Sequence, residues 1–341
     1  MLRAQQSCKP HGVMQSVGGR VTLTPTRVDR TECVVRANNW GTRSRTGVSG
    51  KALAAGLKSQ PAASALPLAT LEVAPKLSFN RYDNVIDVDR LMASTFVRRA
   101  EWLDEIGSTN DRALQLAGDL SVETPCFIGA TRQVLGRGRG ANRWWSGDGT
   151  LMFSTLLDMP KLGIAQSQWP QFSLVTGLTV AETLEVFLPQ TAVGLKWPND
   201  AWVAGRKVCG ILIEQPDRAP GRLVAGVGWN VNTSLVAAPD DLRAIATSMR
   251  DVSGHTFIAE DVLVCFLQRW EANLESLASG GFDLIANWNR FCVLRDHRVR
   301  VSTGEADLTG GCRGIAADGA LLVDDGEVTR RCYAGTVRLA D

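Results

Sequence analysis

Two consecutive stretches, KWPNDAWVAGRKVCGILIE at residues 196–214 and RLVAGVGWNVN at residues 222–232, decide how this chain folds. In the first, short apolar runs at 201–203 and 208–214 flank Gly205, a pattern that predicts a β-hairpin. The second stretch predicts a further strand over residues 223–231. Adjacent strands joined by tight turns indicate an antiparallel component rather than a doubly wound parallel sheet.

The same hairpin is expected to bring two opposite charges together. Pro198 favours an extended Trp197, and the pair Asn199-Asp200 is typical of a turn. Asp200 then ends one strand and Lys207 begins the next, so we expect the ammonium to lie close to the carboxylate. A lysine held there neutralises charge on an attacked α-phosphate, while Asp200 orients it or binds Mg²⁺. The turn alone would favour an exposed ion pair of little energetic value, but the two apolar strands that flank the lysine favour a site.

A second motif, QVLGRGRG at residues 133–140, precedes RWWS at residues 143–146. Its three glycines in five residues allow the backbone to approach a ligand, and Arg137 and Arg139 are suited to carboxylate or phosphate groups. Gly-Arg runs also occur in disordered RNA-binding tails. The position between two predicted strands, 126–130 and 151–157, favours a loop that closes over a bound ligand.

A third motif, GVGWNVN at residues 226–232, lies at the end of a predicted strand. Asn230 offers a donor and an acceptor to a nucleotide or to its bound metal. Since no helix follows the glycines directly, the motif by itself is a weak nucleotide signal, and a strand end with a bulge is the simpler interpretation.

The remaining elements follow from periodicity. Ser108 is expected to cap a helix with Asp111 at its third position. Helices are also predicted at 169–187, 260–279 and 282–294, and strands at 192–196, 299–302, 311–315, 320–323 and 335–339. The last four strands predict a small, barrel-like C-terminal β domain.

The first eighty or so residues are rich in Ser, Thr, Gly, Ala and Arg and contain few acids. Such a composition predicts a disordered basic extension over residues 1–81. An Arg-rich, acid-poor start is also typical of a transit peptide. We favour the extension, or translation from a start upstream of the natural one.

Bulk composition excludes several classes. The 341 residues suggest about two domains, and a net charge of +2 argues for neither nucleic acid nor membrane as a partner. No apolar run approaches the roughly 20 residues that span a bilayer. The eight cysteines are scattered, without the pairing of a zinc site or a disulfide framework. Most are expected to be small buried hydrophobic residues of a protein in a reducing cytosol.

Taken in order, these motifs resemble the biotin protein ligase family from about Tyr82 to the C-terminus. The resemblance is carried by residues at corresponding positions of the chain: Ser108-Thr109-Asn110, Gln133, the run 136–139, Trp144, the run 196–200, Arg206-Lys207 before 210–212, and Gly228, Asn230 and Asn232. It implies an α+β fold, with a central mixed β-sheet backed by helices, of the class II synthetase type, and a small C-terminal SH3-like β-barrel. The implied domains are a catalytic domain at 82–294 and the barrel at 295–341.

The resemblance also implies an activity: biotin and ATP form biotinyl-5'-AMP, and biotin is then transferred to a lysine of a biotin carboxyl carrier domain. The implied catalytic residues are Lys207, Asp200, Arg137 and Arg139. Biotin would contact Ser108, Thr109, Asn110, Gln133, Arg137, Gly138, Arg139 and Lys207. ATP would contact Lys196 and Asn230, with Mg²⁺ at Asp200. We expect a cytoplasmic enzyme that uses neither DNA nor membrane as a partner, and a homodimer is one assembly that we consider.

Two departures from the family pattern concern us. The family loop commonly continues with a further glycine and then an arginine, where this chain has Ala141 and Asn142. No N-terminal winged helix is recognisable, so we predict no operator binding. The alternatives are a lipoate protein ligase, which shares the fold and the two-step logic, and a nucleic-acid-binding protein that uses the basic N-terminus and the Gly-Arg loop.

Overall fold

The structure of the chain is a computed structural model that describes residues 86–304 and 307–340. These residues belong to one compact unit. The extension predicted over residues 1–81 lies outside the described residues. The domain boundary expected at residue 295 stays a prediction.

A seven-stranded sheet organises the larger part of the described chain. Its strands are β1 (Arg99–Ile106), β2 (Cys126–Gln133), β3 (Thr150–Asp158), β4 (Val193–Lys196), β5 (Asp200–Val203), β6 (Arg206–Glu214) and β7 (Arg222–Asn230). Their order is β1-β2-β3-β7-β6-β5-β4. Only β1 and β2 pair in parallel, and the other neighbours are antiparallel. The predicted mixed sheet is therefore confirmed.

Helices cover both faces of this sheet. They are α1 (Val88–Ser94), α2 (Thr109–Ala117), α3 (Phe172–Phe187), α4 (Asp240–Ile245), α5 (Met249–Ser253), α6 (Ala259–Ala278) and α7 (Leu284–Phe291). Within β2, Phe127 belongs to the large core with α3 and α6, whereas the next residue, Ile128, packs with α2 in a smaller core. Because both faces are covered, the first five residues of β2 and all but the last residue of β3 are buried.

Some elements differ from the sequence prediction. The helix expected from residue 169 begins at Phe172, because Pro170 lies in a preceding 3₁₀ turn, Gln166–Gln171. The helix expected over 282–294 spans only α7 and is capped by the side chain of Asp283. Strand β1 was not predicted, since its residues are mostly half-buried or exposed and mix charged with apolar side chains. The short helices α1, α4 and α5 also escaped the periodicity argument.

The C-terminal strands form a second, fully antiparallel sheet. It contains β8 (Arg298–Ser302), β9 (Asp307–Ile315), β10 (Leu321–Asp324), β11 (Thr329–Cys332) and β12 (Thr336–Leu339), in the order β11-β10-β9-β8-β12. Its buried side chains continue the large core. Across the junction, Nε1 of Trp197 donates to the carbonyl of Gly319 at 3.0 Å. Closure into an SH3-like barrel stays a prediction.

The cysteines behave as small hydrophobic residues. All six within the described residues are free, and five of them are buried. Burial raises the pKa of the Cys126 thiol to about 11. Burial also raises the pKa of the Cys209 and Cys332 thiols, so these three buried cysteines are poor candidates for a nucleophile.

Candidate active site

Glycines in β6 and β7 create room for other side chains on one face of the larger sheet. A Cβ at residue 226 would lie 1.9 Å from Oδ1 of Asn110, and one at residue 228 would lie 2.4 Å from Cε2 of Trp144. The start of α2 and the Trp144 ring thus pack directly on the backbone of β7. The bulge considered at this strand end is absent, because β7 keeps a regular register with both neighbours.

The start of α2 differs from the predicted cap. Ser108 occupies the N-cap position and is buried, but its side chain makes no capping hydrogen bond. Instead, Oε1 of Gln133 accepts from the backbone N–H of Thr109 at 2.7 Å. One of the helix's unpaired N–H groups is therefore satisfied from the end of β2. Asp111 is paired elsewhere, with Nη2 of Arg137 at 2.8 Å.

A buried polar network continues from this point along the sheet. Oγ of Ser154 lies 2.7 Å from Oγ1 of Thr109 and 2.5 Å from Oδ1 of Asn110. Nδ2 of Asn110 in turn donates to Oε2 of Glu214 at 2.7 Å. The network holds Thr109, Asn110 and Gln133 in one arrangement and brings three predicted biotin contacts together.

The Gly-Arg loop joins β2 to β3, as expected, and is closed by hydrogen bonds at its base. The backbone N–H of Gly138 donates to the carbonyl of Asn142 at 2.8 Å, and that of Trp144 donates to Gly136 at 3.0 Å. The side chain of Asn142 donates to the carbonyl of Arg139 at 2.9 Å. Asn142, which departs from the family pattern, therefore stabilises the turn of this loop.

Arg137 is held more firmly than the sequence indicated. Its Nη1 and Nη2 donate to the two carboxylate oxygens of Glu214 at 2.8 and 2.6 Å. This charge-assisted pair raises the pKa of the Arg137 guanidinium. Arg139 has weaker contacts: its Nη1 lies 3.5 Å from Oδ1 of Asn199 and 3.4 Å from the carbonyl of Gly335.

The hairpin formed by β5 and β6 brings Lys207 to Asp200, as predicted. Nζ of Lys207 lies 2.6 Å from Oδ1 of Asp200, and the side chains are 28% and 23% exposed. The same ammonium lies 5.7 Å from the centre of the Trp144 ring. A lysine, a carboxylate and an aromatic wall therefore meet at the end of the sheet.

Lys196 adds a second, partly buried cation. Its Nζ lies 4.9 Å above the ring of Trp202. Burial lowers the pKa of Lys196, and the nearby cations Lys207 and Arg338 act in the same direction, while Asp200 opposes them. An excess of positive charge surrounds one carboxylate, which favours the binding of an anion such as a polyphosphate.

Asn230 lies at the end of β7, beside these groups. Its Nδ2 donates to the carbonyl of Thr247 at 3.0 Å. Its Oδ1 is buried and accepts no hydrogen bond from the described residues. A buried acceptor without a donor indicates a place for a ligand or a water molecule.

Sequence reasoning assigned no role to Ser154 or Glu214, although both lie in the centre of the polar network. Ser154 is a fully buried hydroxyl residue in the middle of β3, and Glu214 is an acid that ends β6. Polar side chains in these positions are signals that could have identified them.

Two further features are absent from the described residues. Within the described residues, no group of three or more His, Cys, Asp or Glu side chains could hold a metal ion. No helix in that part of the chain is sufficiently long and apolar to cross a membrane.

Comparison with known proteins places this arrangement in context. Residues 102–232 match the Biotin/lipoate A/B protein ligase family. The chain is 33% identical over 226 residues to a biotin–[acetyl-CoA-carboxylase] ligase of Paracoccus denitrificans, covering 63% of this chain and 90% of that protein. It is 28% identical over 243 residues to the bifunctional ligase/repressor BirA of Bacillus spizizenii, covering 69% of this chain and 72% of that protein.

Among solved structures, the chain is similar to the biotin protein ligase of Aquifex aeolicus in complex with biotin and ATP. The TM-score is 0.62 at 30% sequence identity, and the match covers 71% of this chain and all of the other. The similarity thus includes the complete Aquifex chain.

Proposed function

The chain belongs to the biotin protein ligase family, and we infer that it joins biotin to an acceptor protein with the consumption of ATP. One observation carries the assignment of this activity to specific residues. Asn110 of the polar network packs on Gly226, Trp144 packs on Gly228, and both Nζ of Lys207 and the Trp144 ring lie over Gly210, so the network and the Lys207–Asp200 pair are neighbours of Trp144 on one face of the sheet.

We propose that biotin's ureido ring binds at the start of α2. Thr109, Asn110 and Gln133 are held there with defined donors and acceptors, and Ser108 is buried beside them. A ureido group needs such partners, whereas the dithiolane of lipoate does not. This difference favours biotin over lipoate as the substrate, and so do the relatives, which are named as biotin ligases.

We propose that adenylation occurs next to Lys207. A carboxylate oxygen of biotin attacks the α-phosphorus of ATP, and the bond to the leaving pyrophosphate breaks. Lys207 would contact the carboxylate and the α-phosphate, because Asp200 orients its ammonium from 2.6 Å away. Lys196 and Asn230 would bind ATP, while Gly138 and Arg139 would cover the adenylate. An acceptor lysine then attacks the biotinyl carbonyl and AMP leaves, so that no protein nucleophile is needed.

Magnesium is proposed as the companion of ATP rather than as a resident ion. Mg²⁺ is usually held by substrate phosphates with one or two carboxylates and several waters. Asp200 supplies one carboxylate beside the proposed phosphate site, although it also pairs with Lys207. The described residues therefore fit a transient ATP–magnesium complex better than a dedicated metal site.

The proposed acceptor is a biotin carboxyl carrier domain of acetyl-CoA carboxylase or a related carboxylase, as the name of the Paracoccus relative suggests. A cytoplasmic location, the absence of operator binding and a homodimer remain proposals from the sequence.

A direct experiment separates these functions. The purified protein would be mixed with ATP, magnesium and a carboxyl carrier domain, together with either biotin or lipoate. We expect pyrophosphate release and a gain of one biotinyl group on the carrier with biotin alone. Pyrophosphate release with lipoate alone would favour lipoate ligation, and release with neither acid would contradict the proposed function.

A further inference from the structure

Glu214, the last residue of β6, joins two parts of the site that are distant in sequence. Its carboxylate accepts hydrogen bonds from both Nη1 and Nη2 of Arg137, which lies 77 residues earlier in the chain. Oε2 also accepts a hydrogen bond of 2.7 Å from Nδ2 of Asn110, which lies 104 residues earlier. One carboxylate therefore connects the Gly-Arg loop with the start of α2.

These contacts determine which N–H donors of the Arg137 guanidinium remain available to a substrate. Both of its terminal nitrogens are bonded to Glu214, and Nη2 is also 2.8 Å from Oδ1 of Asp111. Its Nε is buried and has no hydrogen-bond partner within the described residues. The Nη1–Nη2 edge of Arg137 is therefore occupied by Glu214 and its unpaired Nε is buried, whereas the guanidinium of Arg139 has only long contacts.

The connection extends into the proposed biotin site. Asn110 shares the hydroxyl of Ser154 with Thr109, and Thr109 is bonded to Gln133. The chain of hydrogen bonds thus runs from the loop arginine through Glu214 to the groups proposed for the ureido ring. Partly buried, charge-assisted bonds are the strongest members of such a network.

We propose that Glu214 is a positioning residue that couples the Gly-Arg loop to the biotin pocket, with Arg137 as the anchor of the loop and Arg139 as its substrate-facing arginine. This inference rests on the proposed function. Glu214 itself touches no substrate. It acts by fixing Asn110 and Arg137 in the same arrangement, so that an ordered pocket and a closed loop stabilise each other.

The test uses Glu214→Gln, which keeps the shape of the side chain and removes its charge. We expect KM for biotin to rise about tenfold, as for the loss of one charge-assisted bond, while KM for ATP changes less than about twofold. Trypsin should cut the loop faster after Arg137, Arg139 or Arg143. Biotin should protect the wild-type loop from trypsin and should protect the variant much less.

A double-mutant cycle with Arg137→Met isolates the coupling, because the two changes should not add if Glu214 acts through Arg137. The matched control is Glu185→Gln, which removes another two-oxygen pair, with Arg290 at 2.6 and 2.7 Å, outside the site. We expect the control to change neither KM nor loop cleavage.

The inference would be overturned if Glu214→Gln left both KM for biotin and the rate of loop cleavage unchanged, or if the two substitutions of the cycle had additive effects. It would also be overturned if Glu214→Gln weakened the binding of biotin and ATP equally and lowered Tm, because that result indicates a merely structural role. A failure of the proposed function looks different. In that case the wild-type protein releases no pyrophosphate with biotin and gains no protection from it, yet the loop of Glu214→Gln is still cut faster.

Discussion

The indole of Trp144 lies on Gly228 so closely that a Cβ at residue 228 would be 2.4 Å from Cε2 of the ring. The substitution Gly228→Ala should therefore displace the Trp144 ring from its position beside Lys207. We expect pyrophosphate release to fall at least about tenfold and the free energy of unfolding to fall by about 1–3 kcal/mol.

Gly311→Ala is the matched control for this prediction, since it also lies within a strand but a Cβ there meets nothing within 4 Å. Equal activities for the two variants would show that the position of Trp144 is irrelevant to the reaction.

Removal of the Lys207 ammonium should abolish adenylation while the fold survives. Lys207→Ala is expected to lower the rate of pyrophosphate release by about a hundredfold or more, because it removes the preorganised charge that we propose for the reacting phosphate. Circular dichroism and Tm should remain close to those of the wild type, because the side chain is partly exposed. Lys161→Ala, which removes an exposed lysine paired with Asp158 at 3.3 Å, is the control. Wild-type rates in Lys207→Ala would mean that another group stabilises the phosphate.

The affinity for ATP should fall at alkaline pH because Lys196 loses its proton there. Burial lowers its pKa below the ordinary value of 10.5, so the ammonium loses its proton at a lower pH than an exposed lysine does. Kd for ATP should therefore increase as the pH rises through this lowered pKa. In Lys196→Arg the charge persists at high pH, and the increase in Kd should disappear. An identical pH profile for both proteins would exclude Lys196 as the titrating group.

The same lowered pKa also predicts the direction of a stability change. The folded state disfavours the charged ammonium of Lys196, so this group's contribution to the free energy of unfolding increases as the pH rises through the folded pKa towards 10.5. Comparison of urea unfolding for the wild type and Lys196→Met over this range measures the effect. A contribution that decreases with pH would contradict the assigned shift.

Arg222 should be needed for stability. It is 2% exposed, and its two terminal nitrogens donate to the carbonyls of four residues at and beyond the end of α2: Ala117, Asp119, Leu120 and Val122. Arg222→Met leaves these carbonyls without their donor, so we expect a loss of about 3 kcal/mol in urea unfolding. Arg243→Met, at an exposed helical position, is the control. A loss below about 1 kcal/mol for Arg222→Met would show that water replaces the guanidinium.

The sequence alone determined the features that depend on neighbours along the chain. The β5–β6 hairpin turns at Ala204 and Gly205, both with positive φ, and its short span brings Lys207 to Asp200 as predicted. Apolar runs identified β2, β3, β6 and β7 because these strands are covered on one or both faces. Local spacing and burial pattern are sufficient for such elements.

Only the tertiary structure decided which distant side chains meet. Ser108 occupies the predicted cap position, yet Gln133 bonds to Thr109 in its place, and Asp111 turns to Arg137. The pairing of Arg137 with Glu214 depends on where two strands end in a mixed sheet, a relation that no local pattern encodes. The physical reason is that a charged side chain forms its hydrogen bonds with the oppositely charged or polar groups that lie near it in the folded protein. Strand order, rather than separation along the chain, determines which groups these are.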